Sequence, residues 1–238
     1  MDTRYATHSA TTLQEARLEA STVFLAKVFN WMAVGLGLTG LVAYLTAASG
    51  LVFTIARSPL MYVFLFAELG LVFYLSARID KLQAATATGL FLLYSALNGL
   101  TFSTIFIAYT MSSIAGTFLI TAGMFGAMAV FGMVTKRDLS GMGSFLFMGL
   151  IGIVIASIVN LFMHSSGLSW AISFIGVIVF TGLTAYDVQR IKNIGEQGIL
   201  QQGEEAIRKG SIIGALALYL DFINLFLMLL RFFGGARD

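Results

Sequence analysis

Residues 82–135 decide the fold: LQAATATGLFLLYSALNGLTFSTIFIAYTMSSIAGTFLITAGMFGAMAVFGMVT contains no Asp, Glu, Lys or Arg in 54 positions. A helix crosses the hydrocarbon core of a bilayer with about 20 apolar residues, so this stretch predicts two spans. The polar break YTMSS at 109–113 separates them. A second run without charge, 139–186, predicts another pair divided near 164–169, and a shorter one at 28–56 predicts a single span.

The composition agrees with a membrane protein and excludes several other classes. Hydrophobic residues make up 58% of the chain and charged residues only 11%, with a mean hydropathy of +0.89. Soluble proteins carry about 25% charged residues because their surface is hydrated. The absence of cysteine excludes disulfides and cysteine-based metal sites, and two histidines argue against a zinc enzyme. A net charge of +2 is no nucleic-acid footprint, so no nucleic-acid partner is expected.

We therefore predict an all-α membrane protein, a seven-transmembrane-helix bundle. A polar N-terminal tail, mobile or lying on the surface, is expected over residues 1–22, followed by the transmembrane bundle over 23–233. Barrel strands would alternate apolar and polar residues, whereas 90–93 (LFLL) is apolar at every position. The predicted spans lie near 24–47, 60–78, 83–108, 115–135, 143–163, 169–188 and 211–232.

Basic residues predict the orientation, because cytoplasmic loops are enriched in Lys and Arg. With a cytoplasmic N-terminus, the inner side carries ten such residues: Arg4, Arg17, Arg78, Lys81, Lys136, Arg137, Arg190, Lys192, Arg208 and Lys209. The outer side then carries three: Arg57, Arg231 and Arg237. Seven spans place the C-terminus outside. The alternative is a re-entrant last segment, which would return the C-terminus to the cytoplasm. The absence of cysteine fits a bacterial plasma (inner) membrane.

Four ionisable residues stand out within the predicted spans: Glu68, Arg78, Asp187 and Asp221. An aspartate at a helix centre costs roughly 2.5–3.5 kcal/mol on translocon scales, so such residues usually face the bundle interior. Arg78 and Asp187 come at the inner ends of two helices, and Asp221 follows roughly 15 Å into the last one at 1.5 Å per residue. The three side chains are therefore expected to converge near the cytoplasmic mouth.

Two carboxylates in one desolvated site resist being ionised together, so Asp187 and Asp221 would titrate as a unit. A shared proton would hold the last two helices together. Its loss would make the pair repel itself and offer oxygen ligands to a cation such as Ca²⁺. Other interpretations stay open: Asp187 followed by Arg190 also fits a helix emerging into water, Arg78 also fits a side chain that reaches the interface, and Glu68 fits either a pore lining or a neutral structural hydrogen bond.

The last predicted helix is also a candidate for the centre of the bundle. Gly210, Gly214, Ala215 and Ala217 follow one another along its first half. Small side chains let helix backbones approach closely in membranes.

Several segments resemble the Bax inhibitor family of transmembrane proteins. These are TAYDVQRI at 184–191, ALYLDFINLF at 217–226, LLRFF at 229–233 and, in the second span, AELGLVF at 67–73. The similarity extends from about residue 20 to the end of the chain and is greatest to the bacterial branch.

The resemblance implies a seven-helix bundle whose last helix is central, with a pH-sensitive Ca²⁺ leak through it. It implies a gate formed by a di-aspartyl pair, Asp187 and Asp221, with Arg78 as the arginine that latches to the pair. Nothing in this chain supports carrying over the suppression of cell death known from animal relatives.

Three function classes compete. The first is a pH-sensitive calcium or other cation leak channel, with Asp187 and Asp221 as transient Ca²⁺ ligands, Glu68 as a candidate pore-lining residue and no other cofactor. The second is an adaptor that regulates another membrane protein, such as a membrane-bound protease. The third, an intramembrane aspartyl protease, is disfavoured because LYLD at 218–221 is not the Gly-x-Gly-Asp motif of such enzymes, so no enzymatic activity is expected. A retinal protein needs a lysine in its last helix, and 211–233 contains none.

Overall fold

The computed structural model describes the backbone of residues 3–235 and the side chains of residues 14–235. The chain is helical almost throughout, and no β-strand occurs within this described range. The α-helices are α1 (Thr3–Ala48), α2 (Leu51–Arg57), α3 (Leu60–Arg78), α4 (Ala84–Phe102), α5 (Ile105–Ala108), α6 (Met111–Val134), α7 (Ser140–Met163), α8 (Ser166–Glu196) and α9 (Glu204–Phe233). Short 3₁₀ turns, Ile79–Lys81 and Ile199–Gln201, follow α3 and α8.

Seven segments are long and apolar enough to cross a membrane, which confirms the predicted number. They are Gln14–Ala48, Leu60–Lys81, Ala84–Ala108, Met111–Val134, Ser140–Met163, Ser166–Glu196 and Glu204–Phe233. The last of these is one continuous helix of 30 residues, about 45 Å long at 1.5 Å per residue. That length exceeds the thickness of the hydrocarbon core, so nothing in α9 supports the re-entrant alternative.

The N-terminal boundary differs from the prediction. A tail was expected over residues 1–22, but α1 begins at Thr3, so only residues 1 and 2 precede it, and these lie outside the described residues. Ser21 is already buried, and its backbone packs against Gly195 of α8 so closely that a side chain at Gly195 would clash. The polar segment is therefore the beginning of the first helix, because its last turn already belongs to the packed interior.

The last helix lies at the centre of the bundle, as predicted. In the most apolar 18-residue stretch of α9, 72% of the residues are buried, whereas the corresponding fractions are 6% for the span of α3 and 11% for α7. Four helices, α1, α4, α6 and α8, surround it. Its small residues permit this approach, since a Cβ on Gly210 would collide with Ile199 and one on Gly214 would press against Val28 of α1.

The outer helices are attached by one face each. α3 packs mainly on α4 and α7 on α8, while their remaining surfaces carry exposed aromatic and aliphatic side chains such as Phe73, Phe145 and Phe162. Large exposed apolar surfaces are expected where a protein meets lipid rather than water.

Candidate functional site: the acidic pair between α8 and α9

The structure brings Asp187 and Asp221 together where α8 packs on α9. Their carboxyl groups lie close enough to act on each other electrostatically. An ionised carboxylate can only accept hydrogen bonds, so a bond between two carboxyl groups requires a proton on one of them. The pair is therefore a contact between two neighbouring helices that could share a proton, a contact that the sequence permitted but did not reveal.

Asp221 is the more enclosed member of the pair. Only 4% of its surface is exposed, and within residues 14–235 no hydrogen-bond partner reaches its buried Oδ2 atom. Asp187 is half-buried. An unpaired buried carboxylate is costly in a membrane protein. Asp187 is the polar neighbour that offsets part of the cost of burying Asp221.

A cavity of about 590 Å³ opens beside the pair, between α7, α8 and α9. Both aspartates line it, together with Tyr186, Arg190 and Asn224. Its other lining residues are mostly apolar: Gly143, Ser144, Phe147, Met148, Leu150, Phe180, Leu183, Ala217 and Leu220. The carboxyl groups thus stand on the wall of a space large enough for a hydrated ion rather than in a sealed core.

Close helix contacts fix α8 at the level of the pair. A Cβ on Gly132 of α6 would collide with the backbone of Ala185, and a Cβ on Gly143 of α7 would collide with the ring of Tyr186. Gly132 and Gly143 therefore allow α6 and α7 to approach α8 within one turn of Asp187.

Arg190, not Arg78, is the cation that acts on the pair. Arg190 lies three residues after Asp187, interacts electrostatically with it and lines the same cavity. Arg78 is exposed at the end of α3 and forms no ion pair with any described residue. Arg78 does not line the cavity of the aspartates, because α3 packs mainly on α4 at the edge of the bundle, and its role as the latch stays a prediction.

Glu68 belongs to a different polar cluster. Its Oε1 accepts a hydrogen bond of 3.0 Å from Thr101 Oγ1 on α4, and the carboxyl group acts electrostatically on Tyr94 and Tyr219. The hydroxyl of Tyr219 in turn lies 2.7 Å from Thr39 Oγ1 on α1. Glu68 thus has the structural hydrogen bond that was one of its two interpretations, and it does not line the cavity of the aspartates.

Sequence reasoning missed a polar clasp next to the pair. Gln189 accepts a hydrogen bond from the amide of Leu139 (2.9 Å) and donates one to the carbonyl of Arg137 (2.8 Å). Lys192 donates to the carbonyl of Met133 at the end of α6 (3.0 Å). The α6–α7 loop is therefore tied to the turn of α8 that follows Asp187. The sequence signal for this contact was the glutamine two residues after Asp187.

The two aspartates do not form a multidentate metal site. No group of three or more His, Cys, Asp or Glu side chains that could hold a metal ion occurs in the described part of the chain. A cation at the pair would have two carboxyl groups and the solvent of the cavity as ligands, an arrangement suited to passing contact rather than to tight storage.

These features define the chain as a multi-pass helical membrane protein with a pair of neighbouring aspartates, Asp187 and Asp221, where α8 meets its central helix. The chain belongs to the Bax inhibitor family: the family model described as inhibitor of apoptosis-promoting Bax1 matches residues 21–238. It is 57% identical over 216 residues to the inner membrane protein YbhL of Escherichia coli, covering 90% of this chain and 92% of that protein. Uncharacterized proteins of Deinococcus radiodurans (50% over 228 residues, 94% and 95% of the two chains) and Borreliella burgdorferi (49% over 217 residues, 90% and 93%) are similar along nearly their whole length.

Proposed function

We propose that this protein is a pH-sensitive cation leak channel, with Ca²⁺ the favoured ion, and that Asp187 and Asp221 are its gate. The observation that carries the proposal is the juxtaposition of two carboxyl groups on the wall of a cavity of about 590 Å³. The proposal gives the chain no catalytic role.

The gate works through the proton that the pair shares. While it is present, it joins α8 to the central helix. Its loss leaves two negative charges, and two unit charges 4 Å apart repel each other by about 4 kcal/mol at an effective dielectric constant of 20. This repulsion favours separation of the helices, and the freed carboxylates offer the hard oxygen ligands that Ca²⁺ prefers. Arg190 opposes the repulsion by attracting Asp187.

We place the protein in a bacterial inner membrane with its N-terminus in the cytoplasm. The relative YbhL carries the name inner membrane protein, and the ten-to-three distribution of basic residues favours this orientation. The pair then faces the cytoplasmic half of the bilayer, so that the gate senses cytosolic pH.

The test is Ca²⁺ flux into proteoliposomes between about pH 6 and about pH 8, the neutral range in which such switches operate. Flux through the wild-type protein is expected to rise with pH, because deprotonation separates the pair. Asp187→Asn and Asp221→Asn should flatten the profile, since an amide holds its hydrogens throughout this range. Asp80→Asn, which removes an exposed carboxylate after α3, is the matched control and should keep the wild-type slope.

Two results would contradict the gate. Flux that falls as the pH rises would show that ionised aspartate closes the channel, which points to an ion pair with Arg190 as the latch. No flux above empty liposomes from folded protein would favour the adaptor function, with the aspartates as a structural clasp.

A further inference from the structure

A second cavity lies at the opposite end of the bundle from the acidic pair. It has a volume of about 620 Å³ and lies where α7 ends, α8 begins and α9 ends. Arg231 on its rim follows Asp221 by ten residues, about 15 Å along α9 at 1.5 Å per residue. The lining residues are Tyr109, Ser157, Asn160, Leu161, Ser166, Ser169, Trp170, Ile172, Ser173, Arg231 and Phe232.

Among the described residues, the positive charge at this cavity has no counter-ion. Arg231 forms no ion pair or hydrogen bond with any described residue, and no carboxylate lines the cavity. The hydroxyl groups of Tyr109, Ser157 and Ser166 also have no hydrogen-bond partner within residues 14–235. One guanidinium and three hydroxyl groups therefore line one space to which no described residue contributes a negative group.

The rest of the cavity is held in place. The side-chain Nδ2 of Asn160 donates a hydrogen bond to Ser169 Oγ (2.6 Å), and its side-chain Oδ1 accepts one from the backbone amide of Ser165 (3.0 Å). These two bonds fix the α7–α8 turn. The amide of Gly235 donates to Ser113 Oγ (2.9 Å), which ties the chain beyond Arg231 to α6. The donors are therefore arranged before any ligand binds.

The aromatic residues indicate the depth of the cavity in the membrane. Trp170 stacks on Phe174 with ring centres 5.4 Å apart and meets Phe232 edge-on at 6.0 Å. Tryptophan and tyrosine concentrate at the level of the lipid headgroups, and Trp170 and Tyr109 both border this cavity.

We propose that this cavity binds a phosphate group, with Arg231 as its principal ligand. Guanidinium groups bind phosphate oxygens with two parallel charge-assisted hydrogen bonds, and serine and tyrosine hydroxyls satisfy the remaining oxygens. The volume lies within the roughly 300–1,000 Å³ of ordinary ligand cavities. Two sources carry this chemistry: the phosphodiester of a membrane glycerophospholipid, whose chains would lie along Leu161 and Phe232, and free phosphate.

The test uses the full-length protein in an uncharged maltoside detergent, with bound molecules counted by native mass spectrometry. The probes are short-chain phosphatidylglycerol, inorganic phosphate and the matching diacylglycerol, which lacks the phosphate. Wild-type protein is expected to retain phosphatidylglycerol and not diacylglycerol. Competition by inorganic phosphate at similar concentration identifies free phosphate as the source, and its absence identifies the lipid.

Arg231→Gln should weaken binding of the retained probe by at least about tenfold, the effect of losing one charge-assisted pair. Arg57→Gln is the matched control, because Arg57 is also an exposed arginine at a helix end and lies outside this cavity. Arg231→Lys keeps the charge but loses the planar guanidinium, so its affinity for the probe should fall between those of Arg231→Gln and Arg57→Gln. This variant keeps the test valid if Arg231→Gln does not fold. Equal binding by Arg231→Gln and Arg57→Gln, or equal retention of diacylglycerol, would overturn the proposal.

Discussion

Replacement of Gly132 by alanine should destabilise the bundle beside the acidic pair. Gly132 lies near the end of α6, and a Cβ there would overlap the carbonyl oxygen of Ala185 on α8 and approach its Cα and carbonyl carbon to 3.1 Å. These are backbone atoms, which cannot rotate away as a side chain can. The two helices must therefore move apart by some tenths of an ångström or more.

The expected magnitude combines two opposing effects. Overpacking of a tight contact costs about 1–3 kcal/mol, whereas replacing glycine by alanine within a helix returns up to about 1 kcal/mol. After the full helix gain is subtracted, we expect the free energy of unfolding to fall by up to about 2 kcal/mol in Gly132→Ala. The displaced segment of α8 includes Ala185, two residues before Asp187, so Ca²⁺ flux should also change.

The assay is unfolding in mixed detergent micelles with an increasing fraction of denaturing detergent, followed by circular dichroism. Gly126→Ala is the matched control: it lies on the same helix, six residues earlier, and its Cβ would meet nothing within 4 Å. Equal unfolding midpoints for Gly132→Ala and Gly126→Ala would refute the reasoning, because the contact between α6 and α8 would then have room for the added methyl group.

Three other contacts make predictions of the same kind. Gln189→Ala removes both hydrogen bonds that hold the α6–α7 loop and should speed amide hydrogen exchange there, with unchanged exchange contradicting the clasp. Tyr219→Phe loses the hydroxyl contact with Thr39 and should lower the free energy of unfolding by about 0.5–1.5 kcal/mol in the same micelle titration; no loss would mean that water replaces the hydroxyl. Arg208→Gln removes a hydrogen bond of 3.0 Å to Thr88 and should increase the rate of proteolysis in the α8–α9 loop; a cleavage rate equal to that of the wild type would contradict this.

The number of spans could be predicted because bilayer thickness sets it directly. Each long run without charged residues has room for one helix or for two, so the number of spans follows from the lengths of these runs. Helix ends were less predictable. α8 continues to Glu196, well past the expected end near residue 188, because Gln189 and Lys192 bond to the neighbouring loop and keep the helix packed beyond its apolar part.

The members of the site were predictable only in part. An aspartate at position 221 stood out because it is flanked by apolar residues in a span, and burying it needs a partner. The depth of a residue follows from its distance to the helix end, but the neighbour it faces depends on how helices are arranged around the bundle. Arg78 was expected at the depth of the aspartates, and only the packing of the helices shows that Arg190, not Arg78, lines their cavity.

The geometry around α8 separates two kinds of perturbation of the proposed gate. At the level of the pair, α8 contacts α6 through Gly132, α7 through Tyr186 on Gly143, and α9 through Asp187. The first two contacts are steric, whereas the third joins two carboxyl groups, so the proposed proton switch acts through the contact with α9. Gly132→Ala should therefore shift Ca²⁺ flux by a similar factor at every pH, whereas Asp221→Asn should remove the slope. If Gly132→Ala flattened the profile as well, the proton switch would depend on α6 packing and would not reside in the pair alone.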